Sequence, residues 1–470
     1  VSLLALRSSF WGQRSRREIF RDGSALAAFS GVPSPVHARS GRVEGNLGKA
    51  LAAAFGAEPS QALATNGRPE GNLGATNEVV RVVDGIRHKR LGGSDIIVSE
   101  MGLGTQRWGS TDFNAPDEAM CHKMLDRAIL EGGINLIDTA EQYPIPSDGA
   151  HPEGNSERII GSWLKKDPTR RKKVVLASKI TGGSNINAFS IKDDLEGSLQ
   201  RLGTDYLDLY LLHWPARYTP QSNWGQSLEY RQDMELFYRN SASFDEIAKA
   251  MSELVKKGKI RGWGICNDNA FGLVASCYSA RELGGTAPVV MQNDYSIINR
   301  RIEENGLSEA SSPANENVGF MAYNALAGGV LTGKYLDQPA AVDERDRATA
   351  RRLSENPRGR MDETGWGRTL YRYRSGPADE AVREYAKLAK KYDLSLTELS
   401  LRWCRERSAV TTTLVGHTSL SQLEDCLNAF KNDKGLPKEL MWDIDRIHMR
   451  NRLPIFSSTR TGCRSGVVVS

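Results

Sequence analysis

The sequence predicts an α/β fold of the (β/α)8-barrel class. Short apolar runs of strand length alternate with amphipathic helical stretches from Met101 to Phe430, and eight such runs can be followed. Several of them end in a polar residue able to do chemistry, as strands do at the C-terminal face of a parallel barrel. A doubly wound sheet is the competing architecture, but no G-x-G-x-x-G follows a first strand.

Taken in order, residues 1–85 differ from the rest. They are rich in Ala, Gly, Ser and Arg, and EGNLG occurs twice, at Glu44–Gly48 and Glu70–Gly74. Such a stretch cannot bury enough apolar surface to offset its ordering entropy, and a disordered leader is expected. Arg7, Arg14, Arg16, Arg17, Arg21 and Arg39, with few acids among them, fit an organellar transit peptide for a plastid or mitochondrion. The alternatives are an untargeted leader on a cytoplasmic protein, or a mispredicted start, since residue 1 is Val.

Order is expected from near His88, in a domain of residues 86–452 followed by a flexible tail, 453–470. KRLGGSDIIVS reads as a hairpin turning at Gly92-Gly93, and MGLGT as the first barrel strand. A helix over 116–131 carries Met120, Met124, Leu125, Ala128 and Ile129 on one face, with Gly132 as its C-cap. Strands are then expected over 135–140, 174–179, 207–213, 261–267, 289–296, 319–326 and 412–416. Helices are expected over 153–166, 191–202, 244–257, 272–283, 378–392, 396–407 and 420–430, with a helix-poor stretch before strand 319–326. Connections 214–242 and 331–376, after the fourth and seventh barrel strands, are too long for plain βα loops and should lie over the site. The second mixes Arg with Asp and Glu around Gly365, Gly367 and Gly376, and reads as a mobile flap with basic groups suited to phosphate.

Composition narrows the function classes. A net charge of +5 against 62 basic and 57 acidic residues is diffuse, which suits a soluble protein and an anionic cofactor better than nucleic acid. The six cysteines form no C-x-x-C pair, so buried free thiols are expected rather than disulfides or zinc. No apolar run approaches the roughly 20 residues of a membrane span, so no membrane insertion is expected.

The stretch that organises the chemistry is INLIDTAEQYP, Ile134–Pro144. It starts as a strand buried on both faces and delivers Asp138 and Tyr143 at its C-terminal end. VVLASK ends at Lys179 and LDLYLLH at His213. Tyr143, Asp138, Lys179 and His213 are together the parts of a proton-donating site. Singly, each is as readily a core residue or an ion pair.

Nine blocks in one order carry a resemblance: MGLGT, NLIDTAEQYP, SERIIGSWL, LASK, RLGTDYLDLYLLHWP, KGKIRGWGICN, QNDYSIINR, LAGGVLTGKY and VGHTSLSQL. From about Arg87 to His448 the chain resembles an aldo-keto reductase, most like the bacterial Tas-type NADP-dependent reductases and more distantly potassium-channel β subunits. The resemblance implies metal-free reduction of a small aldehyde or ketone by NADPH. Tyr143 would donate the proton, Lys179 would ease its release, Asp138 would hold the ammonium, and His213 would orient the carbonyl oxygen. Lowering the phenol two to three units from about 10 would take about 3–4 kcal/mol of differential electrostatics.

The resemblance also implies cofactor contacts. Asn267 and Gln292 would hold the nicotinamide carboxamide and Tyr323 would stack on its ring. Gly333 and Lys334 would bind the pyrophosphate, and Thr418 and Gln422 the adenosine phosphate, at a helix opening. Arg368, with Arg345 as competitor, is the expected 2′-phosphate partner. Cys266 replaces the usual Ser before Asn267, and Cys426 stands where an adenine-contacting Asn is common. Trp108 and Trp214 are expected as pocket walls. Two other classes remain open at this point: an NADPH-binding, redox-sensing regulatory subunit docked on a partner, and a Schiff-base lyase using Lys179.

Overall fold

The computed structural model describes residues 73–455, apart from residues 113, 185, 220–229, 231, 239–240, 337–356, 363–372 and 374. It opens with a small antiparallel sheet of β1 (Val79–Val83), β2 (Ile86–Arg90) and β3 (Ile97–Ser99), in that order. The β2–β3 pair is the hairpin expected around Gly92-Gly93. β1 corrects the expectation that order starts near His88. Its residues are almost all exposed, so no burial periodicity marks it. The turn that pairs it with β2 is Asp84-Gly85, with φ of 49° and 82°. Positive φ at both positions is what a two-residue Asp-Gly hairpin requires, and that dipeptide is the signal in the sequence.

Eight parallel strands then close a barrel: β4 (Met101–Gly104), β5 (Leu136–Asp138), β6 (Val175–Ile180), β7 (Leu207–Leu212), β8 (Ile260–Cys266), β9 (Val290–Asp294), β10 (Gly319–Tyr323) and β11 (Thr412–Val415), which pairs back onto β4. The expected (β/α)8 architecture is therefore present. Between successive strands run α1 (Glu118–Leu125), α2 (Asn155–Lys165), α3 (Ala188–Leu202), α4 (Phe244–Lys256) and α5 (Ala270–Glu282). The short α6 (Arg301–Glu304) and α7 (Leu307–Ser311) occupy the stretch expected to be helix-poor. α8 (Gly376–Lys391) and α9 (Leu396–Glu406) precede β11, and α10 (Leu420–Lys431) follows it. Side-chain caps start most of these helices. Asn187 and Ser190 form a full capping box on α3, and Ser243, Ser375, Ser395 and Ser419 cap α4, α8, α9 and α10.

Three helical details differ from expectation. The helix expected over 116–131 is α1 followed by a π-helical turn, Asp126–Leu130. The chain reverses at Gly133 (φ 79°), not through a left-handed Gly132. A Cβ on Gly133 would sit 2.3 Å from the Val83 carbonyl oxygen, so only glycine allows this approach to β1. A further helix, α11 (Lys438–Arg450), packs through Leu440, Ile444 and His448, a four-residue stripe legible in the sequence.

The core has two layers. Leu136, Val175, Ala177, Leu209, Leu211, Val290, Met321 and Leu414 fill the barrel, with Leu91, Ile96 and Val98 of the hairpin packed into the same cluster. Alternate strand residues, such as Ile137, Leu176 and Tyr210, pack outward against the helices. No residue of β5, β6 or β7 is exposed. That is why these strands read as continuous apolar runs. Five of the cysteines, Cys121, Cys266, Cys277, Cys404 and Cys426, are buried free thiols. The expected leader up to residue 72, the tail from 456, Cys463 and most of both long connections lie outside the described residues. Among the described residues, no helix is long and apolar enough to cross a membrane.

Candidate active site

Period-two alternation decides which side chains reach the barrel interior. Leu136 on β5, Val175 and Ala177 on β6, and Leu209 and Leu211 on β7 all face inward. The same parity carries Asp138, Lys179 and His213 to the inner face at the C-terminal rim. Lys179 is wholly buried there, and its Nζ donates to Asp138 Oδ2 and to the Thr139 carbonyl, each at 2.7 Å. Tyr143 lies past the end of β5, in a turn closed by its N–H on the Ala140 carbonyl at 3.1 Å. Its ring centroid is 5.1 Å from Lys179 Nζ. The phenol oxygen is 3.4 Å from His213 Nε2, and the two rings meet edge to face. All four expected residues therefore meet at one rim.

Electrostatics at this rim correct one expectation. Burial pushes the Tyr143 phenol up to about 12, and the nearby Lys179 charge opposes that without overcoming it. The lowered phenol expected from the sequence is not found, because desolvation outweighs one cation. Lys179 is itself opposed by burial, yet Asp138 and its other neighbours hold it above its ordinary value. Burial first, and then Lys179, keep His213 well below the usual histidine range, so its ring is neutral. Glu141 accepts the Thr181 N–H at 2.6 Å, and burial with nearby Asp194 raises its carboxyl to about 7.

The rim opens on a cleft of about 490 Å³. Asn267, Gln292, Tyr323, Lys334, Thr418 and Gln422 line it, together with Trp108, Trp214, Cys266 and Cys426. Gly333 caps the adjoining turn at φ 81° without lining the cleft. Arg368 and Arg345 lie outside the described residues. The amides are held in place. Gln292 Nε2 donates to Asp138 Oδ1 at 2.8 Å, and Asn267 Nδ2 donates to the His213 carbonyl at 2.9 Å. The Tyr323 hydroxyl donates to Asn267 Oδ1, and the Cys266 thiol lies 3.5 Å from Gln292 Oε1. Thr418 N–H donates to Gln422 Oε1 at 3.0 Å beside the Ser419 cap of α10.

Sequence reasoning missed Gln142, Arg107 and Arg360, which also line the cleft. Gln142 sits within the motif itself, and its Oε1 is buried without a partner. Arg107 lies three residues past the end of β4, in the loop at the C-terminal rim. His417, after β11, is buried and pushed down to about 4 by desolvation. Between pH 6.5 and 4 the unfolded chain binds a proton there that the folded chain does not, so lowering the pH through this window removes up to ~3 kcal/mol of stability from this residue. In urea unfolding, His417→Gln should remove most of that increment, and an unchanged pH dependence would refute the assignment.

A closed parallel barrel with a polar cleft at the C-terminal rim of its strands is the layout of an enzyme of the (β/α)8 class. Residues 100–448 match the model of the Aldo/keto reductase family. The chain belongs to that family of oxidoreductases. It is 32% identical over 377 residues to Protein tas of Escherichia coli, covering 77% of this chain and 98% of that one. It is 32% identical over 296 residues to an aldo-keto reductase of Babesia bovis, covering 60% of this chain and 98% of the relative. The uncharacterized oxidoreductase YrpG of Bacillus subtilis is 27% identical over 362 residues, covering 75% and 92%. The Tas-type likeness expected from the nine blocks is thus present.

Proposed function

We propose that this protein reduces aldehydes or ketones to alcohols, with NADPH as hydride source and Tyr143 as proton donor. One observation carries the reading: the Tyr143 phenol, 3.4 Å from His213, stands beside a fully buried Lys179–Asp138 ion pair and opens on the cleft. The cleft chemistry suits a dinucleotide. Asn267 and Gln292 offer amides for a carboxamide, keeping a second lone pair on the Asn267 oxygen and a second N–H on Gln292. Tyr323 offers a ring face, Lys334 a cation for the diphosphate, and Thr418 and Gln422 the opening of α10 for the adenosine phosphate. The buried, partnerless Gln142 oxygen is a further acceptor at the same wall.

When bound, the nicotinamide supplies a hydride to the carbonyl carbon. The chain does the rest. Neutral His213 positions the carbonyl oxygen beside the phenol. Tyr143 transfers its Oη proton to that oxygen, completing the alcohol. The charge left on the phenol oxygen is stabilised by Lys179, whose ammonium is fixed by Asp138 and the Thr139 carbonyl.

Titration of NADPH and NADH by quenching of protein fluorescence, followed by NADPH oxidation over an aldehyde panel, tests the reading. Failure to bind NADPH, or no turnover with any aldehyde, would sink it. The pKa directions add a sharper expectation. Burial holds the Tyr143 phenol up at about 12 and His213 well below the usual histidine range, so neither should give an inflection near neutrality in reductive kcat/KM. Glu141 is the neighbour raised into that range. Any inflection near neutrality should vanish in Glu141→Gln; one that persists shows that the tetrad itself titrates.

A further inference from the structure

We propose that Arg217 is a positioning residue of the reaction. By forking onto Asp268 it fixes His213 against Asn267, and so the substrate-orienting ring against the amide offered to the nicotinamide. This role rests on the reductase reading. Arg217 lies four residues past His213, at the start of the first long connection, and Asp268 follows Asn267 directly. Neither Arg217 nor Asp268 lines the cleft, whereas His213 and Asn267 both do. The pair therefore acts through its neighbours.

The backbone alone does not secure this part of the rim. The parallel ladder between β7 and β8 ends with the pair Leu212 and Ile265. Past it the bonds diverge. The His213 N–H turns to the Ile180 carbonyl at 2.9 Å, and the Asn267 N–H to the Gln292 carbonyl at 3.0 Å. Side chains bridge the gap instead. Facing the cleft, Asn267 Nδ2 donates to the His213 carbonyl at 2.9 Å. Behind it, Arg217 Nη1 donates to Asp268 Oδ2 at 2.8 Å and Nη2 to Asp268 Oδ1 at 2.6 Å. Nη2 also donates to Asn269 Oδ1 at 3.2 Å. Asn267 stands between these contacts with φ 57°, a left-handed backbone that persists where its surroundings hold it.

The fork is built to keep its geometry. Phe244 on α4 and Phe271 on α5 each place a ring centroid 5.3 Å from the guanidinium carbon, and the two rings meet edge to face. The Asp268 side chain is 4% exposed and that of Arg217 25%, so this two-point contact is far drier than a surface ion pair. Asp268 is also held from other sides. Its Oδ1 accepts the Asn269 N–H and its carbonyl accepts Asn293 Nδ2, each at 2.7 Å. On α5, a Cβ at Gly272 would lie 2.3 Å from both Asp268 carboxylate oxygens, so only glycine leaves them room. A pair that merely started α5 would be redundant, because Asn269 already caps that helix through the Gly272 N–H at 3.1 Å.

Three variants of the full chain test the role: Arg217→Met, Arg217→Lys, and Arg217→Met combined with Asp268→Asn. The double variant leaves no uncompensated buried carboxylate, so it keeps the test usable if Arg217→Met fails to fold. Fluorescence titration counts the NADPH sites per chain. Stopped-flow single turnover, with the aldehyde of highest kcat/KM in the panel, then gives a rate for each site. Misplacing a reacting group by about 1 Å can cost roughly a hundredfold, so Arg217→Met and the double variant should each be at least about tenfold slower per site. Arg217→Lys keeps the charge without the fork and should fall between them and the wild type.

A merely structural pair would lower the number of NADPH sites and leave the rate at each surviving site unchanged. That result, or any fall of less than tenfold per site in the double variant, overturns the positioning role while the wild-type turnover upholds the reductase reading. A wild-type chain that reduces no aldehyde removes the reductase reading, and the role of Arg217 goes with it.

Discussion

Tyr143→Phe should lower reductive turnover by about a hundredfold to ten-thousandfold while leaving the NADPH dissociation constant within about twofold. The ring packs edge to face on His213 and lies beside Lys179, and phenylalanine keeps both contacts. What disappears is the phenol proton that the proposed mechanism gives to the substrate oxygen, and a positioned acid contributes roughly 10²–10⁴ to rate. Stopped-flow single turnover separates this from slow product release. Retained single-turnover rate would show that another group donates the proton. Loss of cofactor binding together with rate would show that the hydroxyl holds the dinucleotide instead.

Lys179→Met should cost both stability and activity, for one electrostatic reason. Lys179 and Asp138 are buried together, and removing the cation leaves a carboxylate whose remaining partner is the Gln292 amide. Breaking a buried pair from one side destabilises by about 3–5 kcal/mol, as urea unfolding would read. Turnover should fall about a thousandfold or more, since burial already holds the phenol high and the charge opposing that would be gone. The double variant Lys179→Met with Asp138→Asn separates the two effects. It removes the uncompensated charge, so at least half of the lost stability should return while activity stays low. Recovery of turnover in the double variant would contradict the role given to the ammonium.

Legibility in the sequence followed the range of each interaction. The alternation of strands and helices was readable because a period of two or of 3.6 is a local property, and helix ends came within a few residues because caps such as Asn187 and Ser243 are local too. The errors were also physical. β1 falls inside the stretch whose Ala-, Gly-, Ser- and Arg-rich composition reads as leader, and its exposed residues carry no burial periodicity, although Asp84-Gly85 announces the turn. α11 was missed despite its Leu440–Ile444–His448 stripe. The reading of Tyr143 weighed the nearby cation and omitted the desolvation that exceeds it.

By itself the sequence determined the order of elements, the barrel class, and which strands end in Asp138, Lys179 and His213. Strand parity and apolar spacing are written in neighbouring residues, and nothing distant is needed to read them. Only the tertiary structure decided that Gln292 braces Asp138, that burial outweighs the Lys179 charge at the phenol, and that Arg107, Lys334 and Arg360 share one cleft. Those outcomes depend on charge separations and water exclusion across segments far apart in the chain, and barrel closure is what sets both.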